Sequence, residues 1–573
     1  MKKTKLVNLA SIALVALIIS SCGGINKMKE TAEELKYEVS PDPLVMKGGE
    51  VDYSVEAFFP EKYFNKKATL TVTPVLKYGE QRLELEPKVL QGEDVEANNE
   101  VIKYVEGGST SMSGSFDYSE DMLRSELYVD MAATFKEETV PFGEYKIADG
   151  IIATENLVQV TPEVILIPDK FQRIIESMYV ADIHYQIERS NIRSSELRET
   201  DIDSLNAFLE DANSDERKEL KGLTVSAYAS PDGPMDLNER LSEDRQESAR
   251  RYIEREMKRG DIEKAGEEDF FSLMKTAEDW EGFKELVQES DIEDKELILR
   301  VLSMYSDPEV REKEIKNLSA TYEELADEIL PKLRRSKLVA EADLIGYSDE
   351  ELLGLIDTKI DTLNIEELLY AATLTDDVDK KIVIYTRASE DYPDNVRARN
   401  NLGFAYMLKG EYSSAKGAFE GAKEIEENDV VKNNLAAIAL IEGDVDVAEE
   451  LLTAAMGAGE EVSYNLGIVN ILKGNYEAAV NYFGNACGFN PALAKVLNDQ
   501  NEAALTSINC IDDPDAMDYY LKAVVGAKTT NDDMVFSNLR TAIGMDSDLK
   551  AHAKKDLQFY QYFENDAFKS IVE

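Results

Sequence analysis

A chain of 573 residues is too long for one hydrophobic core, so the length predicts roughly three or four domains. The composition, 43% hydrophobic and 31% charged, is that of a globular protein, and a formal net charge of -51 disfavours nucleic acid as a partner because like charges repel. With only His184 and His552, the chain has little material for a zinc site or a histidine-based nucleophile relay, so we predict no metal, no cofactor and no enzyme activity.

The chain begins with the features of an export signal. A lysine-rich start precedes an apolar run from Leu6 to Ile19, and small residues lead to Cys22. The ending "ISSC" resembles the lipoprotein box of bacteria, which implies a signal peptide over residues 1–21 and acylation of Cys22, for example with palmitate. Several acyl chains anchor a protein in a lipid bilayer without a transmembrane helix. Gly23 is not the aspartate that favours inner-membrane retention, so the resemblance implies the outer membrane. Residues 24–27 contain no acidic run of the kind found in surface-export tags, which favours the periplasmic face. An ordinary secreted protein with a chance cysteine is the alternative.

Residues 22–168 show hydrophobic alternation with a period of two, which is typical of half-buried strands. The clearest stretches are "VDYSVEAFF", "ATLTVTPVLKY", "RLELEPKVL" and "ELYVDMAATF". In the last of these, one face would be lined by Leu127, Val129, Met131, Ala133 and Phe135. The pattern predicts a β-sandwich of immunoglobulin-like size, which serves as a spacer or carries a binding face.

Residues 169–346 alternate predicted strands and helices. The stretches "YVADIHYQIERS" and "LTVSAYAS" predict strands, and a helix between them has Ser194 or Ser195 as its predicted cap. The second strand ends in a Ser-Pro-Asp-Gly turn, and we predict a helix from Ser242 to about Lys258. Further helices around Trp280 and a final strand in "LPKLRRSKLVAEADL" complete a central α+β domain with a helical insertion.

The turn after the second strand contains Gly233, and Asn238, Leu241, Ser242 and Arg245 follow it in the pattern Asn-x-x-Leu-Ser-x-x-Arg. Arg334 and Arg335 lie in the predicted final strand. These features resemble the C-terminal peptidoglycan-binding domain of the OmpA family, which has a glycine in the turn, the same pattern at the start of the helix and an arginine-rich final strand. The resemblance covers about Tyr179 to Leu344 and implies the OmpA-like fold.

The resemblance also implies a ligand, the diaminopimelate-type stem peptide of peptidoglycan, which carries an ammonium and a carboxylate on one carbon. A guanidinium binds a carboxylate with two parallel hydrogen bonds, and Arg245 occupies the family position for this role. Ser230 stands where the family has an aspartate, and Asp232 is the other candidate for the ammonium. Asn238 would tie the loop to the helix. One alternative is that Arg245 forms a structural ion pair. A phosphate cradle is a poor match because the loop has only one glycine, and a calcium loop is a poor match because the carboxylates are irregularly spaced.

Residues 347–363 are a predicted linker, and residues 364–573 contain repeats with a period near 34 residues. The recurring positions are Leu402, Gly403, Tyr406, Ala415, Phe419 and Ala422; Leu435, Ala436, Ala439, Ala448, Leu452 and Ala455; and Leu466, Gly467, Asn470, Ala479, Phe483 and Ala486, after a degenerate copy from Leu368 to Pro393. They resemble tetratricopeptide repeats, which implies an all-α solenoid with an exposed concave side. A protein partner is expected on inner-helix positions such as Arg399, Asn400, Asn433, Asn434 and Asn465.

Cys487 and Cys510 are a possible disulfide, because the predicted compartment is oxidising; two buried free thiols are the alternative.

Together these observations predict a non-enzymatic outer-membrane lipoprotein. Its OmpA-like domain would tether the membrane to peptidoglycan, and its repeats would recruit an envelope protein. The alternative is a scaffold or adaptor of an envelope secretion or outer-membrane assembly complex that does not bind peptidoglycan. Ser230 favours the alternative, and Arg245 favours the tether.

Overall fold

The computed structural model describes residues 24–292 and 294–573, so Cys22 and the predicted signal peptide lie outside the described residues. The chain forms two compact units. The first joins residues up to Pro168 with Asp377–Glu573, and the second is Asp169–Asp376. Within the described ranges no helix is long and apolar enough to cross a membrane.

The first unit begins with a β-rich region of two sheets that share one hydrophobic core. Its strands are β1 (Lys36–Ser40), β2 (Leu44–Lys47), β3 (Glu50–Phe59), β4 (Thr69–Tyr78), β5 (Gln81–Glu84), β6 (Lys88–Gly92), β7 (Glu100–Ile102), β8 (Gly108–Asp117), β9 (Ser125–Phe135), β10 (Glu138–Asp149) and β11 (Ile151–Ile152). One sheet has the order β1-β3-β2-β11 with β8 also paired to β3, and the other has the order β10-β9-β4-β6-β7 with β5 paired to β4. Three of the four stretches predicted from alternation each form one strand, β3, β4 or β9, whereas "RLELEPKVL" is divided between β5 and β6.

Strand β9 shows how the alternation produces the core. Leu127, Val129, Met131 and Ala133 are fully or almost fully buried, whereas Phe135 at the strand end is only partly buried. The side chains between them point to the other face of the sheet, because successive residues of a strand face opposite sides. The buried face packs against the facing sheet in a single cluster that includes Val55 of β3.

The second unit contains a four-stranded sheet of order β12-β15-β13-β14. Its strands are β12 (Ile174–His184), β13 (Lys218–Tyr228), β14 (Phe271–Thr276) and β15 (Arg335–Ile345). β15 is antiparallel to both β12 and β13, and β14 is parallel to β13. The sequence analysis missed β14. The α-helices of this unit are Thr200–Ser214, Met235–Arg259, Trp280–Glu289, Lys295–Met304, Pro308–Lys316, Ser319–Glu328, Leu330–Leu333, Asp349–Thr358 and Ile365–Ala371.

Two predicted helix starts in the second unit differ from the structure. The helix Thr200–Ser214 follows Glu199 at the N-cap, so neither Ser194 nor Ser195 caps it. The helix Met235–Arg259 begins just after Pro234, earlier than the predicted start at Ser242. The second unit also includes residues 347–376, which the sequence analysis divided between a linker and the repeat region.

The remainder of the first unit is a series of antiparallel helix pairs. The α-helices are Val378–Asp391, Val396–Lys409, Tyr412–Ile425, Asp429–Glu442, Val445–Thr453, Glu460–Leu472, Tyr476–Phe483, Phe489–Leu497, Asn501–Asn509, Ala516–Lys528, Asp532–Met545, Leu549–Ala553 and Asp566–Val572. Small residues lie where two helices of a pair touch. A Cβ at Gly403 would lie 2.5 Å from the Phe419 ring, and one at Gly467 would lie 2.4 Å from the Phe483 ring. The recurring glycines are therefore packing positions.

Cys487 and Cys510 form a disulfide in the structure, with Cα atoms 5.7 Å apart. It joins Cys487, two residues before the helix Phe489–Leu497, to the residue after the helix Asn501–Asn509, and so links the two ends of one helix pair.

Candidate functional site

The residues predicted to bind a wall peptide do come together in the second unit. Strand β13 ends at Tyr228, the loop contains Ser230 and Asp232, and the following helix carries Asn238 and Arg245. Asn238 is buried and donates from Nδ2 to the carbonyl of Ser230, 3.2 Å away, and to that of Gly233, 3.0 Å away. It therefore ties the loop to the helix, as its spacing predicted.

Arg245 is directed into the protein and not toward solvent, since only 1% of its surface is exposed. Its Nη1 donates to the carbonyl of Tyr228 at 2.8 Å, and its Nε donates to that of Arg189 at 3.0 Å. Its Nη2 lies 3.5 Å from the carbonyl of Gln186, and the guanidinium lies over the Tyr185 ring. Burial lowers the pKa of Arg245 to about 10, because desolvation disfavours the charged form. The alternative ion pair with Asp244 is not the arrangement found: the acceptors are backbone carbonyls.

The predicted acidic partner is also used internally. Asp232 accepts a hydrogen bond from the Ser230 hydroxyl, and its Oδ2 lies 3.1 Å from Nη2 of Arg334. Arg334 in turn donates from Nε to Ser230 Oγ at 3.1 Å. Both charged side chains are largely buried, at 10% and 13% exposure. The arginine from the predicted final strand thus neutralises the carboxylate that would bind an ammonium.

The helical insertion lies beside this loop. Pro231 lines a cavity of about 10 Å³ together with Trp280 and Phe283 of one insertion helix and Ile315 of another. Such a volume holds about one water molecule. The candidate clamp therefore has the predicted composition, but its polar atoms are paired with one another and with backbone.

A second set of buried polar residues lies in the repeats, where a segment of the β-rich region's chain occupies the concave groove. Residues 158–168 follow the short helix Thr154–Leu157 and run along the inner helices. The segment runs antiparallel to the order of the repeats, because its earliest contact is with Asn490 and its latest is with Asn401. The concave side is therefore filled by the protein's own chain, and the prediction that it is exposed is wrong.

Four asparagines bind this segment in the same way, each through its side-chain amide to both backbone groups of one residue. Each Oδ1 accepts the N–H and each Nδ2 donates to the C=O. For each pair, the distance from the backbone N to Oδ1 is given first and the distance from Nδ2 to the carbonyl O second. The pairs are Asn490 with Gln159 (3.0 and 2.7 Å), Asn465 with Glu163 (2.7 and 2.7 Å), Asn434 with Ile165 (2.7 and 2.8 Å) and Asn401 with Ile167 (2.9 and 2.8 Å). We call these four asparagines the asparagine ladder.

Two further asparagines support the ladder from the same helices. Asn400 donates to the carbonyl of Ile165 at 3.1 Å, and Asn433 donates to that of Glu163 at 3.1 Å. Each also accepts from a ladder asparagine of the next repeat, with Asn434 Nδ2 2.9 Å from Asn400 Oδ1. All six side chains are 0% or 1% exposed. Buried amides require partners, and here each one has them.

The ladder's hydrogen bonds to the segment all go to backbone atoms, so these bonds do not depend on the identity of the side chains it holds. The segment's own apolar side chains add packing, with Val164 against the Phe419 cluster and Ile165 against the main core of the repeats. Glu155 holds the start of the segment. It is 2% exposed and accepts from the N–H groups of Gly48 and Gly49 at 2.8 and 3.1 Å and from the Tyr476 hydroxyl.

The sequence analysis identified Asn400, Asn433, Asn434 and Asn465 but expected an external peptide on them. It missed Asn401 and Asn490, and it assigned residues 159–168 to the β-domain. The Asn-Asn pairs at 400–401 and 433–434, one repeat apart, were the signal that could have defined the ladder. Arg399, also predicted as a contact, is half-buried, and none of the described hydrogen bonds to the segment comes from it.

Two stretches of the chain, residues 396–429 and 460–493, match the family model of the tetratricopeptide repeat. The C-terminal helical region is thus a tetratricopeptide solenoid, a type of domain that mediates protein–protein interaction. No curated protein matches the chain.

Several solved structures are similar to the chain. A chain of the APC/C hetero-tetramer Cut9–Hcn1 has 14% identity and a TM-score of 0.32 over 39% of this chain and 46% of that chain. The match therefore spans less than half the length of that chain. A tetratricopeptide repeat protein from Parabacteroides merdae has 15% identity and a TM-score of 0.28 over 37% of this chain and 91% of that one. PilF of Pseudomonas aeruginosa has 14% identity and a TM-score of 0.28 over 37% of this chain and 97% of the PilF chain.

Proposed function

We propose that this protein is a non-enzymatic scaffold or adaptor of the bacterial envelope, anchored in the outer membrane by lipid on Cys22 and facing the periplasm. Its repeat region binds an envelope protein partner. The observation that carries the proposal is the asparagine ladder, because it unites the β-rich region and the repeats into one compact unit that can present a partner at a fixed position relative to the N-terminal anchor.

The scaffold is preferred to the peptidoglycan tether because of the state of the predicted clamp. Recognition of diaminopimelate needs a guanidinium and a carboxylate that are free to bind a ligand. The hydrogen bonds of Arg245 go to three backbone carbonyls, and Asp232 is paired with Arg334. Binding a ligand there requires these internal bonds to break and the insertion around Trp280 to move.

The tether remains the second candidate, favoured by one specific observation. Asn238 and Arg245 lie at the family spacing on a helix that directly follows a strand and a tight turn, and Asn238 holds the loop to that helix. An insertion that opens would expose this loop to the wall peptide.

Sedimentation with purified peptidoglycan separates the two candidates. The scaffold predicts that the protein remains in the supernatant at physiological salt, together with its Arg245→Lys variant. The tether predicts that the wild-type protein sediments and that Arg245→Lys, which retains the charge but loses the paired hydrogen bonds, does not. Sedimentation of the wild type would therefore contradict the scaffold.

The anchor and the partner have their own tests. Labelled palmitate should be incorporated by the wild-type chain and not by Cys22→Ala, and membrane fractionation should place the lipidated form in the outer membrane. Crosslinking followed by affinity purification from native envelopes should recover a protein partner. Recovery of wall fragments without any protein would contradict the adaptor function.

A further inference from the structure

The segment in the groove has a second backbone edge. In an extended chain, the N–H and C=O of one residue point to one side and those of its neighbours point to the other. Glu163, Ile165 and Ile167 turn these groups toward the ladder. Val164 and Leu166, which alternate with them, therefore turn theirs away from it.

This outward edge is unpaired within the protein. Among residues 24–292 and 294–573, no hydrogen bond joins the N–H or C=O of Val164 or Leu166 to another group. Backbone groups left without a partner are costly when buried, so these groups face solvent or a bound molecule. Because the ladder fixes the other edge, residues 163–167 already have the form of a strand and lose little conformational entropy when another strand pairs with them.

The charges beside this edge favour one kind of partner. Glu163 is exposed and lies near Glu460 and Glu461, which begin an inner helix. Partial burial, followed by the charges of Glu461 and Glu460, raises the pKa of Glu163. A second copy of the chain would meet the same carboxylates and would carry its own net charge of -51, so self-association through this edge is disfavoured.

We propose that the outward edge of residues 163–167 is a docking site for an extended, positively charged segment of a partner protein, which pairs as a strand with Val164 and Leu166. This inference rests on the adaptor function proposed above and names the surface and the class of its partner. Main-chain hydrogen bonds supply affinity in such strand addition, and the acidic neighbours supply the preference for lysine and arginine.

The probe is a synthetic peptide of alternating lysine and valine, with an alternating glutamate and valine peptide of equal length as its control. We expect the full-length protein to bind the cationic peptide at least tenfold more tightly than the acidic one, with weaker binding at high salt. Hydrogen exchange should show new protection at the amides of Val164 and Leu166. Equal affinity for the two peptides would overturn the proposal.

Proline substitution tests the edge itself. Leu166→Pro removes the outward N–H, keeps an extended backbone and leaves the N–H groups that the ladder accepts. It should weaken cationic-peptide binding about tenfold or more, whereas Val160→Pro, in the same segment but outside this edge, should change binding less than twofold. Because a proline can disturb folding, Leu166→Lys provides a second variant: it keeps the N–H and should weaken binding through charge repulsion. Unchanged binding in both Leu166 variants would contradict the proposal.

Two outcomes distinguish this inference from the function on which it rests. If envelope crosslinking recovers the same partner with wild-type protein and Leu166→Pro, the adaptor function stands and the edge is not its docking site. If the probe peptide removes protection from the amides of Glu163, Ile165 and Ile167, the peptide has displaced the segment from the ladder, which also overturns docking at the outward edge.

Discussion

The predicted clamp of the second unit and the asparagine ladder of the first unit differ in what their buried polar groups bind. In the clamp, Arg245 and Asp232 come from sequence-near elements and bind backbone carbonyls and Arg334, which lie 17 to 102 residues away in the chain. In the ladder, asparagines of the repeats bind a segment that lies 234 to 331 residues earlier in the chain. Both sets have the composition of a ligand site, and the protein itself satisfies both.

In both regions, the sequence motif predicts where the polar side chains lie but not which groups they hydrogen-bond. Arginine at the family spacing and asparagine on an inner helix were each read as contacts for an external ligand. Burial decides otherwise in both cases, because a buried hydrogen-bonding group needs a partner within the folded protein. The difference between them is that the ladder leaves an outward edge of its bound segment unpaired, whereas the hydrogen-bonding groups of Arg245 and Asp232 are directed at partners within the protein.

The largest expected effect is that of Arg245→Ala. Its removal leaves buried carbonyl groups without donors, so we expect a loss of about 3–5 kcal/mol in the free energy of unfolding. Denaturant unfolding followed by fluorescence of Trp280, the sole tryptophan, reports on the second unit. Arg240→Ala, at an exposed position of the same helix, should change stability by less than about 0.5 kcal/mol. Equal stability of the two variants would show that Arg245 is free to bind a ligand.

A smaller effect is expected for Asn434→Ala. The variant leaves the N–H and C=O of Ile165 without their principal partner, so we expect a loss of about 1–3 kcal/mol and faster proteolysis within residues 158–168. Asn538→Ala is the matched control, because that amide bonds only to a carbonyl of its own helix. If the segment is cleaved at the same rate in both variants, the ladder does not hold it in solution.

The smallest effect is expected for the titration of Glu155. Burial raises the pKa of this carboxyl above 4.5, although the hydrogen bonds that it accepts from Tyr476, Gly48 and Gly49 lower the pKa. A carboxyl whose pKa is higher in the folded state stabilises the fold when protonated, and this contribution disappears as pH rises through the raised value. Wild-type stability relative to Glu155→Gln should therefore increase as pH falls toward about 4.5 and become constant below it. Denaturant unfolding between pH 4 and 8 measures this difference.

The control for this titration is Glu390→Gln, an exposed position in the same unit. If both variants show the same pH dependence relative to wild type, the burial of Glu155 does not control the connection between the β-rich region and the repeats.

Regular periodicity was sufficient to predict most of the fold. The four alternating stretches, the strands on either side of the predicted clamp and the repeated small residues such as Gly467 all have local patterns that the structure follows. Strand β14 was missed because most of its side chains are exposed, so it shows no alternation. The early start of the helix at Met235 was missed because Met235, Leu237 and Leu241 in its first turns are exposed or half-buried and the helix begins just after a turn.

The candidate sites were predicted less completely than the fold, because their contacts depend on distant parts of the chain. The spacing located Asn238 and the ladder asparagines such as Asn434. It could not show that Arg334 neutralises Asp232, since these residues are 102 positions apart and on different elements. Nor could it show that Ile165 occupies the groove, because no local pattern links it to a helix 269 residues later.

The order in which the ladder's parts are synthesised follows from these separations. The segment 158–168 leaves the ribosome long before Asn401, and Asn490 follows only after most of the solenoid has been made. Contacts this distant in sequence form late and slow the folding of a domain. A nascent chain that ends before the repeats therefore contains a β-rich region whose last segment lacks the asparagines that bind it, so completion of the ladder requires synthesis through Asn490.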